Sequence, residues 1–193
     1  GRIWPPLNYL TYAGLKRCGH ERPAAELAAD SLDLFAAAWA KRQMPENFSA
    51  ETGIADDQPD TDVFYGWGGL MPLIGINEVI DVTPWNGWEV TPRPIVTAGD
   101  WRLGPLLAFG RTCELIMEGG WLTIRLDGAA RLRTDIATRL RQVAFSDNGM
   151  VLETQGAGTV IVPTHGPEKI SAQFDGRPLN VVERKGEAAV TLP

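Results

Sequence analysis

The spacing of apolar residues changes once along this chain of 193 residues, close to Asp81. Before Asp81, apolar side chains recur every three to four residues, which predicts amphipathic helices. After Asp81, short apolar runs alternate with turn dipeptides, which is typical of β-strands. The sequence therefore predicts the α+β class, with a helical first half and a strand-rich second half.

Three helices are predicted in the first half. The first begins at Pro5 and Pro6, since proline suits the first turn of a helix, and it ends near Gly19. The second begins at Pro23 and runs to about residue 42, and the third covers residues 70–80. The expected buried sides are Leu7, Leu10, Ala13 and Leu15 in the first helix, Leu27, Ser31, Leu34, Phe35, Ala38 and Trp39 in the second, and Leu70, Leu73, Ile74, Ile76 and Ile80 in the third.

A β-sandwich is predicted for the second half. Gly119 and Gly120 separate the apolar runs 113–117 and 122–126, which is a hairpin signal. Short strands at this spacing are typical of a sandwich, whereas the segment 131–141 fits either a helix or a strand. Further strands are expected at residues 143–145, 150–154, 159–162, 170–174, 179–182 and 188–192, with turns at Asp127-Gly128, Asn148-Gly149 and Asp175-Gly176.

The predicted domain organisation has three segments: a helical segment over residues 1–84, a Pro- and Trp-rich connector over residues 85–104, and a β-sandwich over residues 105–193. Tryptophan is concentrated near the start, since five of the seven fall in the first 88 residues. Such residues fill a core or stack on a ligand, and composition leaves both open. The five are Trp4, Trp39, Trp67, Trp85 and Trp88.

Composition excludes several classes of partner. A net charge of −6 argues against nucleic acid and anionic membranes, and no apolar run reaches the roughly 18 residues of a membrane helix. We expect no metal and no cofactor, because His20 and His165 are the only histidines and no cluster has ligand spacing. The aspartate-rich segment 54–62 does not match a calcium loop and is predicted to be a solvated loop.

The two cysteines are predicted to be separate, small core residues. Cys18 and Cys113 are too few for a disulfide framework. This usage suits a reducing compartment and favours the cytoplasm.

A short polar loop, residues 44–53, lies between two aromatic-rich helical segments. Pro45 disfavours helix at the residue before it, so Glu46 is free to point into the space between neighbouring helix ends. A carboxylate on a loop framed by aromatic side chains suits a general base that activates water beside a sugar ring.

Three blocks in the first 88 residues carry a family resemblance. They are Gly1-Arg2-Ile3-Trp4-Pro5-Pro6-Leu7-Asn8-Tyr9-Leu10, Pro45-Glu46-Asn47-Phe48 with Thr52-Gly53, and Tyr65-Gly66-Trp67-Gly68-Gly69-Leu70. In order and spacing they resemble the carboxy-terminal half of the (α/α)-barrel glycosidases: glycoside hydrolase family 63, its mannosylglycerate hydrolase-like relatives and, more distantly, the trehalases.

The resemblance implies a fold, an activity and a site. It implies the last helices of an (α/α) six-hairpin toroid followed by a β-sandwich, and an inverting α-glycosidase acting on a small α-glycoside or oligosaccharide. Glu46 takes the place of the family's catalytic base, and Trp4 and Trp67 those of its pocket aromatics. Asn8, Asn47 and Tyr65 are further candidate substrate contacts, with a structural amide as the alternative for Asn47.

The chain departs from the family in ways that affect activity. Arg2 stands where many members have proline, and Phe48 replaces a tyrosine. No residue corresponds to the family's general acid, and Glu51, on the same loop, is not expected to reach the opposite face of the sugar. We therefore expect a carboxy-terminal fragment or one component of a split enzyme, inactive alone and partnered by its missing amino-terminal half. The alternatives are a non-catalytic carbohydrate-binding or structural module, or only a folding appendage.

Overall fold

The computed structural model describes residues 1–55, 59–83, 87–108, 110–146, 149–164, 171–184 and 186–193. The chain divides into two compact units, Gly1–Asp81 with Pro94–Val96 and Val82–Arg93 with Thr97–Pro193. The first unit is mainly helical and the second is built from strands, so the predicted α+β class is confirmed. Trp85, His165, Asn148 and the start of the strand expected at 170 lie outside the described residues.

The first unit contains the three predicted helices. They are α1 (Pro5–Arg17), α2 (Glu21–Trp39) and α3 (Leu70–Val79), with a 3₁₀ turn at Gly66–Gly69 and short strands β1 (Arg2–Ile3) and β2 (Phe48–Ser49). Proline occupies the first turn of α1 as expected. Gly19 follows α1 with a φ of 75°, a left-handed conformation that glycine adopts without strain.

The helix α2 packs against both α1 and α3. Ala24 and Ala28 of α2 are fully buried and form a cluster with Tyr12 of α1 and Ile74 of α3. Their small side chains let the helix backbones approach closely. A second cluster contains Ala38, Phe48, Ala55 and Met71.

The predicted buried faces of α1 and α3 are wrong in several positions. Leu7 and Leu10 are 59% and 65% exposed, and Tyr12 is buried instead. In α3, Leu73 and Ile76 are exposed whereas Met71, Ile74 and Glu78 are buried. The physical reason in α3 is that apolar residues surround the helix, so periodicity does not select a face. In α2, Trp39 is likewise exposed.

A buried carboxylate joins the three helices. Glu78 of α3 is only 3% exposed, and its Oε2 accepts a hydrogen bond of 2.9 Å from the Tyr12 hydroxyl. The Lys16 ammonium of α1 lies 3.7 Å from the same oxygen and also pairs with Glu21 at the start of α2. Because a buried charge is costly unless it is paired, these partners are what allow Glu78 to lie in the core.

The second unit contains most of the strands. They are β3 (Ile80–Thr83), which starts in the first unit, β4 (Gly87–Val90), β5 (Trp101–Ala108), β6 (Arg111–Glu118), β7 (Trp121–Leu126), β8 (Ala129–Thr134), β9 (Leu140–Ser146), β10 (Gly149–Glu153), β11 (Gly158–Pro163), β12 (Ala172–Phe174), β13 (Arg177–Leu179), β14 (Val181–Arg184) and β15 (Glu187–Leu192). One sheet has the order β10-β9-β4-β3 and a larger one β14-β15-β11-β8-β7-β6-β5, while β12 and β13 form a separate hairpin.

The two larger sheets form a sandwich-like arrangement. In β6 and β7, alternate residues are buried, and the pairs Leu115–Ile124 and Met117–Leu122 place them on one face. In the smaller sheet, β4 alternates in the same way. Arg131 of β8 crosses between the sheets, since it lies over the ring of Phe145 and donates to the carbonyl of Ser146. The expected β-sandwich-like region is thus present.

The strands settle one ambiguity of the sequence and add strands to a segment predicted to be a connector. The segment 131–141 is extended at both ends, because β8 runs to Thr134 and β9 begins at Leu140. The segment 85–104, expected to be a connector, contains the strand β4 and the start of β5. Trp88 is buried within β4, so this tryptophan belongs to the sheet.

The two cysteines occupy different environments. Cys113 is buried in β6, as predicted, whereas Cys18 is exposed, so its assignment to a core is wrong. Cys18 directly follows the last turn of α1, where the helix end leaves it uncovered. Burial raises the pKa of the Cys113 thiol to about 12, with a smaller effect from the neighbouring Glu114 carboxylate.

Among the helices of the described residues, none is long and apolar enough to cross a membrane.

Replacing Glu78 by alanine should strongly destabilise the protein. The change removes a buried carboxylate that accepts a hydrogen bond from the Tyr12 hydroxyl and lies beside the Lys16 ammonium, and breaking a buried pair costs about 3–5 kcal/mol. Urea denaturation followed by circular dichroism would measure the loss. Glu26→Ala is the matched control, because Glu26 forms an exposed pair with Arg22 and should change stability far less. Equal losses for the two variants would contradict the role of Glu78.

Native protein should react with a thiol reagent at Cys18 alone. A thiolate is the reactive form, and burial suppresses it at Cys113. We expect mass spectrometry at about pH 8 to show a single label on the native chain and two labels after unfolding in urea. Cys18→Ser should abolish the native label, and rapid labelling of Cys113 in that variant would contradict its burial.

Candidate functional site

Glu46 lies on an extended segment that is held by a neighbouring stretch of backbone. The N–H of Met44 donates to the carbonyl of Val63 at 3.0 Å, and the N–H of Tyr65 donates back to Met44 at 2.8 Å. The N–H of Glu46 itself donates to the carbonyl of Asp62 at 2.8 Å. We call this pairing of residues 44–46 with 62–65 the Glu46 ladder. It fixes a segment that the sequence predicts only as a loop.

The first sequence block adjoins the same segment. Ile3 of β1 pairs with Phe48 of β2, and Arg2 pairs with Ser49. The N–H of Ala50 extends this pairing with a hydrogen bond of 3.0 Å to the Gly1 carbonyl. The chain therefore brings its first residues against the two residues that follow Asn47.

The third block packs on the Glu46 ladder through Gly68. A Cβ atom at this position would lie 2.7 Å from the Pro45 carbonyl oxygen and 2.8 Å from that of Met44. Real Cβ atoms do not approach backbone oxygens so closely, so only glycine fits without displacing the ladder. The side chain of Trp67 then donates from Nε1 to the Glu46 carbonyl oxygen at 2.9 Å.

Three aromatic rings form a cluster beside Glu46. Trp67 meets Trp4 edge-on, with ring centroids 6.1 Å apart, and it meets Tyr65 at 4.5 Å. Trp4 immediately precedes α1, and Tyr65 precedes the 3₁₀ turn. Tyr65 is exposed and the two tryptophans are half-buried, so the cluster presents ring surface to solvent. The structure thus brings together Trp4, Tyr65 and Trp67 around the segment that carries Glu46.

The Glu46 carboxylate is half-buried and has few hydrogen-bond partners. Its Oε2 accepts a long hydrogen bond of 3.4 Å from the Asp62 N–H. Within the described region of the chain, no Lys or Arg forms an ion pair with Glu46. The carboxylate is therefore free to accept a proton or a hydroxyl hydrogen bond from a ligand.

The two asparagines serve the framework. Asn47 is 0% exposed, and its Oδ1 accepts a hydrogen bond of 3.0 Å from the Thr61 hydroxyl, which adds a side-chain link beside the Glu46 ladder. Its Nδ2 is buried without a hydrogen-bond partner among the described residues. Asn8 donates from Nδ2 to the buried Ser31 hydroxyl of α2 at 3.0 Å, so its amide is directed to helix packing. The described hydrogen bonds of both amides thus go to other parts of the first unit.

Sequence reasoning missed the residues that hold Glu46 in place. Asp62, assigned to a solvated acidic loop, supplies its carbonyl to Glu46, and its Oδ1 accepts from the Phe64 N–H at 2.9 Å. Arg2 donates to the Pro59 carbonyl at 2.7 Å and ties the first block to that same acidic segment. The sequence contains a partial indication that the acidic segment lies near the site, since an aromatic and glycine-rich stretch directly follows it.

The described residues offer no metal site, because no three His, Cys, Asp or Glu side chains among them converge. No protein-family model, no curated protein and no solved structure matches the chain.

Gly68→Ala should destabilise the first unit and disturb the Glu46 ladder. The new methyl group meets the backbone oxygens of Pro45 and Met44, and such overpacking costs about 1–3 kcal/mol. Gly66→Ala is a matched control in the same 3₁₀ turn, since a Cβ there would have open space around it, with no atom of a more distant residue within 4 Å. Denaturant unfolding of both variants tests the close approach. Similar stabilities for the two would show that Gly68 does not constrain the ladder.

Proposed function

We propose that this chain belongs to an inverting α-glycosidase that acts on a small α-glycoside or oligosaccharide, with Glu46 as the general base. One observation carries the proposal: three blocks that are far apart in the sequence meet at the segment bearing Glu46, and they place Trp4, Tyr65 and Trp67 beside it. A sugar ring has an apolar face that packs on aromatic rings, while its hydroxyl groups bond to a carboxylate.

The chemistry assigned to Glu46 is proton abstraction. Its carboxylate takes a proton from a water molecule, and the water oxygen forms a new bond to the anomeric carbon as the glycosidic C–O bond breaks. The leaving oxygen receives a proton from a general acid on the opposite face. In inverting enzymes the two carboxyl groups stand about 6.5–9.5 Å apart, which leaves room for the water.

The general acid is proposed to come from another segment of the enzyme. On this proposal the first unit forms the last helices of an (α/α) six-hairpin toroid. The exposed apolar residues of α1 and α3 support it, because Leu7, Leu10, Leu73 and Ile76 offer surface that further helices would cover. The reaction needs no cofactor, and the unpaired state of both cysteines favours a reducing, cytoplasmic location.

A non-catalytic carbohydrate-binding module is the second candidate. The same aromatic cluster suits it, and one observation favours it. Trp67 donates to the main-chain carbonyl of Glu46 and not to its carboxylate, so the rings are held in place whether or not Glu46 acts as a base. A module of this kind would bind sugar through Trp4, Tyr65 and Trp67 without any hydrolysis.

Glu46→Gln in the complete enzyme should abolish most turnover while sugar binding is retained. The amide preserves shape but cannot take a proton, and a general base contributes about 10²–10⁴-fold to the rate. Turnover of a panel of α-glycosides gives kcat and KM, and we expect the loss in kcat. Added azide should partly restore the rate, because an anion attacks without needing a base.

Glu51→Gln is the matched control for this test. Glu51 lies on the same stretch and is exposed, so its variant should keep wild-type turnover. Near wild-type kcat for Glu46→Gln would refute the assignment. Sugar binding that is unchanged in Glu46→Gln, together with no hydrolysis by the wild type, would establish the binding module instead.

A further inference from the structure

A cavity of about 250 Å³ opens on the second unit, beside the turn between β6 and β7. Its lining includes Arg93, Asp100, Trp101, Met117 and Gly120. Pockets for drug-sized ligands occupy about 300–1,000 Å³, so this cavity suits a molecule of about one ring. None of its lining residues belongs to the Glu46 ladder or to the aromatic cluster.

Two neighbouring residues of the cavity lining, Trp101 and Met117, are apolar. Trp101, the first residue of β5, is half-buried, and it pairs in register with the buried Met117 of β6. The pairing holds the backbone of Trp101 in place. Tryptophan then offers a large ring surface at a low cost in conformational entropy, since its side chain has only two χ angles.

Two side chains of opposite charge, Arg93 and Asp100, line the cavity. Asp100 is fixed on the hairpin turn, since its Oδ1 accepts a hydrogen bond of 3.0 Å from the Gly119 N–H. Arg93 reaches the same turn: its Nη2 would lie 3.6 Å from a Cβ on Gly120. In the stretches of the chain that the structure describes, Arg93 forms no ion pair with Asp100 or with another acid. The cavity lining therefore combines an aromatic ring, a carboxylate and a guanidinium.

We infer that this cavity is a binding site for one neutral pyranose ring, separate from Glu46. The apolar face of the sugar packs on Trp101, one hydroxyl donates to the Asp100 carboxylate, and another accepts from the Arg93 guanidinium. The two charges cancel, so the site gives no net attraction to an ionic ligand. The inference does not depend on catalysis by Glu46, because every residue used here belongs to the second unit.

The test uses the full chain labelled with 5-fluorotryptophan. Its seven tryptophans give separate fluorine resonances, which single Trp→Phe variants assign. We expect glucose, mannose or trehalose to shift the Trp101 resonance saturably at millimolar concentration, whereas the Trp67 resonance reports binding beside Glu46. The two sites are thus read independently, and failure of the proposed catalytic site leaves the Trp101 result intact.

Variants then test which side chains make the site. Trp101→Ala removes the reporting ring, so its sugar binding is measured by titration calorimetry, with the Trp67 resonance showing any binding beside Glu46. We expect the affinity of the Trp101 site to fall by about tenfold or more, as expected for loss of an aromatic contact. Trp121→Ala is the matched control, because Trp121 lies on the same hairpin with its ring under Arg133 and should bind as the wild type does. Arg93→Gln changes only an exposed side chain, so this variant should fold normally. We expect it to lower the affinity for the sugar several-fold, which tests the site even if Trp101→Ala folds poorly.

Three results would overturn the inference. The first is a Trp101 resonance whose chemical shift does not change with any of the sugars. It could respond instead to leucine, a zwitterion that would pair its two charges with Arg93 and Asp100. Finally, Trp101→Ala and Arg93→Gln could both bind sugar with wild-type affinity.

Discussion

The backbone pairing of residues 44–46 with 62–65 determines where the Glu46 carboxylate lies. Its hydrogen bonds join two stretches that carry no long secondary structure of their own. Gly68 lets the third block lie directly on this pairing, and Trp67 bonds to its Glu46 carbonyl. The position of the candidate base is thus set by hydrogen bonds of the main chain. Side-chain substitutions in the ladder should disturb it little, except where glycine is required, as at Gly68.

Local signals were sufficient for several elements of the fold. Proline at the start of α1, glycine after it and the paired glycines 119 and 120 each act over a few residues, and the structure has a helix or a hairpin at each place. Which face of a helix is buried in the tertiary structure could not be predicted from such local signals. The face that α3 buries depends on which helix it meets, and its apolar residues occur on every side. The strand β4 was missed because Pro and Trp around it suggested a connector.

In the candidate site too, some residues could be predicted from local motifs and others could not. The sequence indicated Glu46, Trp4, Tyr65 and Trp67 through motifs, and these residues lie together. It did not indicate Asp62 and Thr61, since their contributions are a backbone carbonyl and a hydroxyl from a segment read as solvated. Asn8 and Asn47 were indicated by the same motifs, and each forms a hydrogen bond to a hydroxyl group of the first unit, of Ser31 and Thr61 respectively. Residue type alone does not distinguish a ligand contact from a framework contact.

The buried Glu78 has a consequence for how the first unit opens. Its carboxylate bonds to Tyr12, 66 positions away in the sequence, so α1 and α3 are joined by a contact that closes a long chain segment. Separating either helix alone would expose the Glu78 carboxylate and break its contacts with Tyr12 and Lys16, which makes partial opening unfavourable. The amide protons of the three helices should therefore exchange with solvent together, as one cooperative unit. Formation of that unit requires a long-range contact, which slows folding relative to a bundle closed by local contacts.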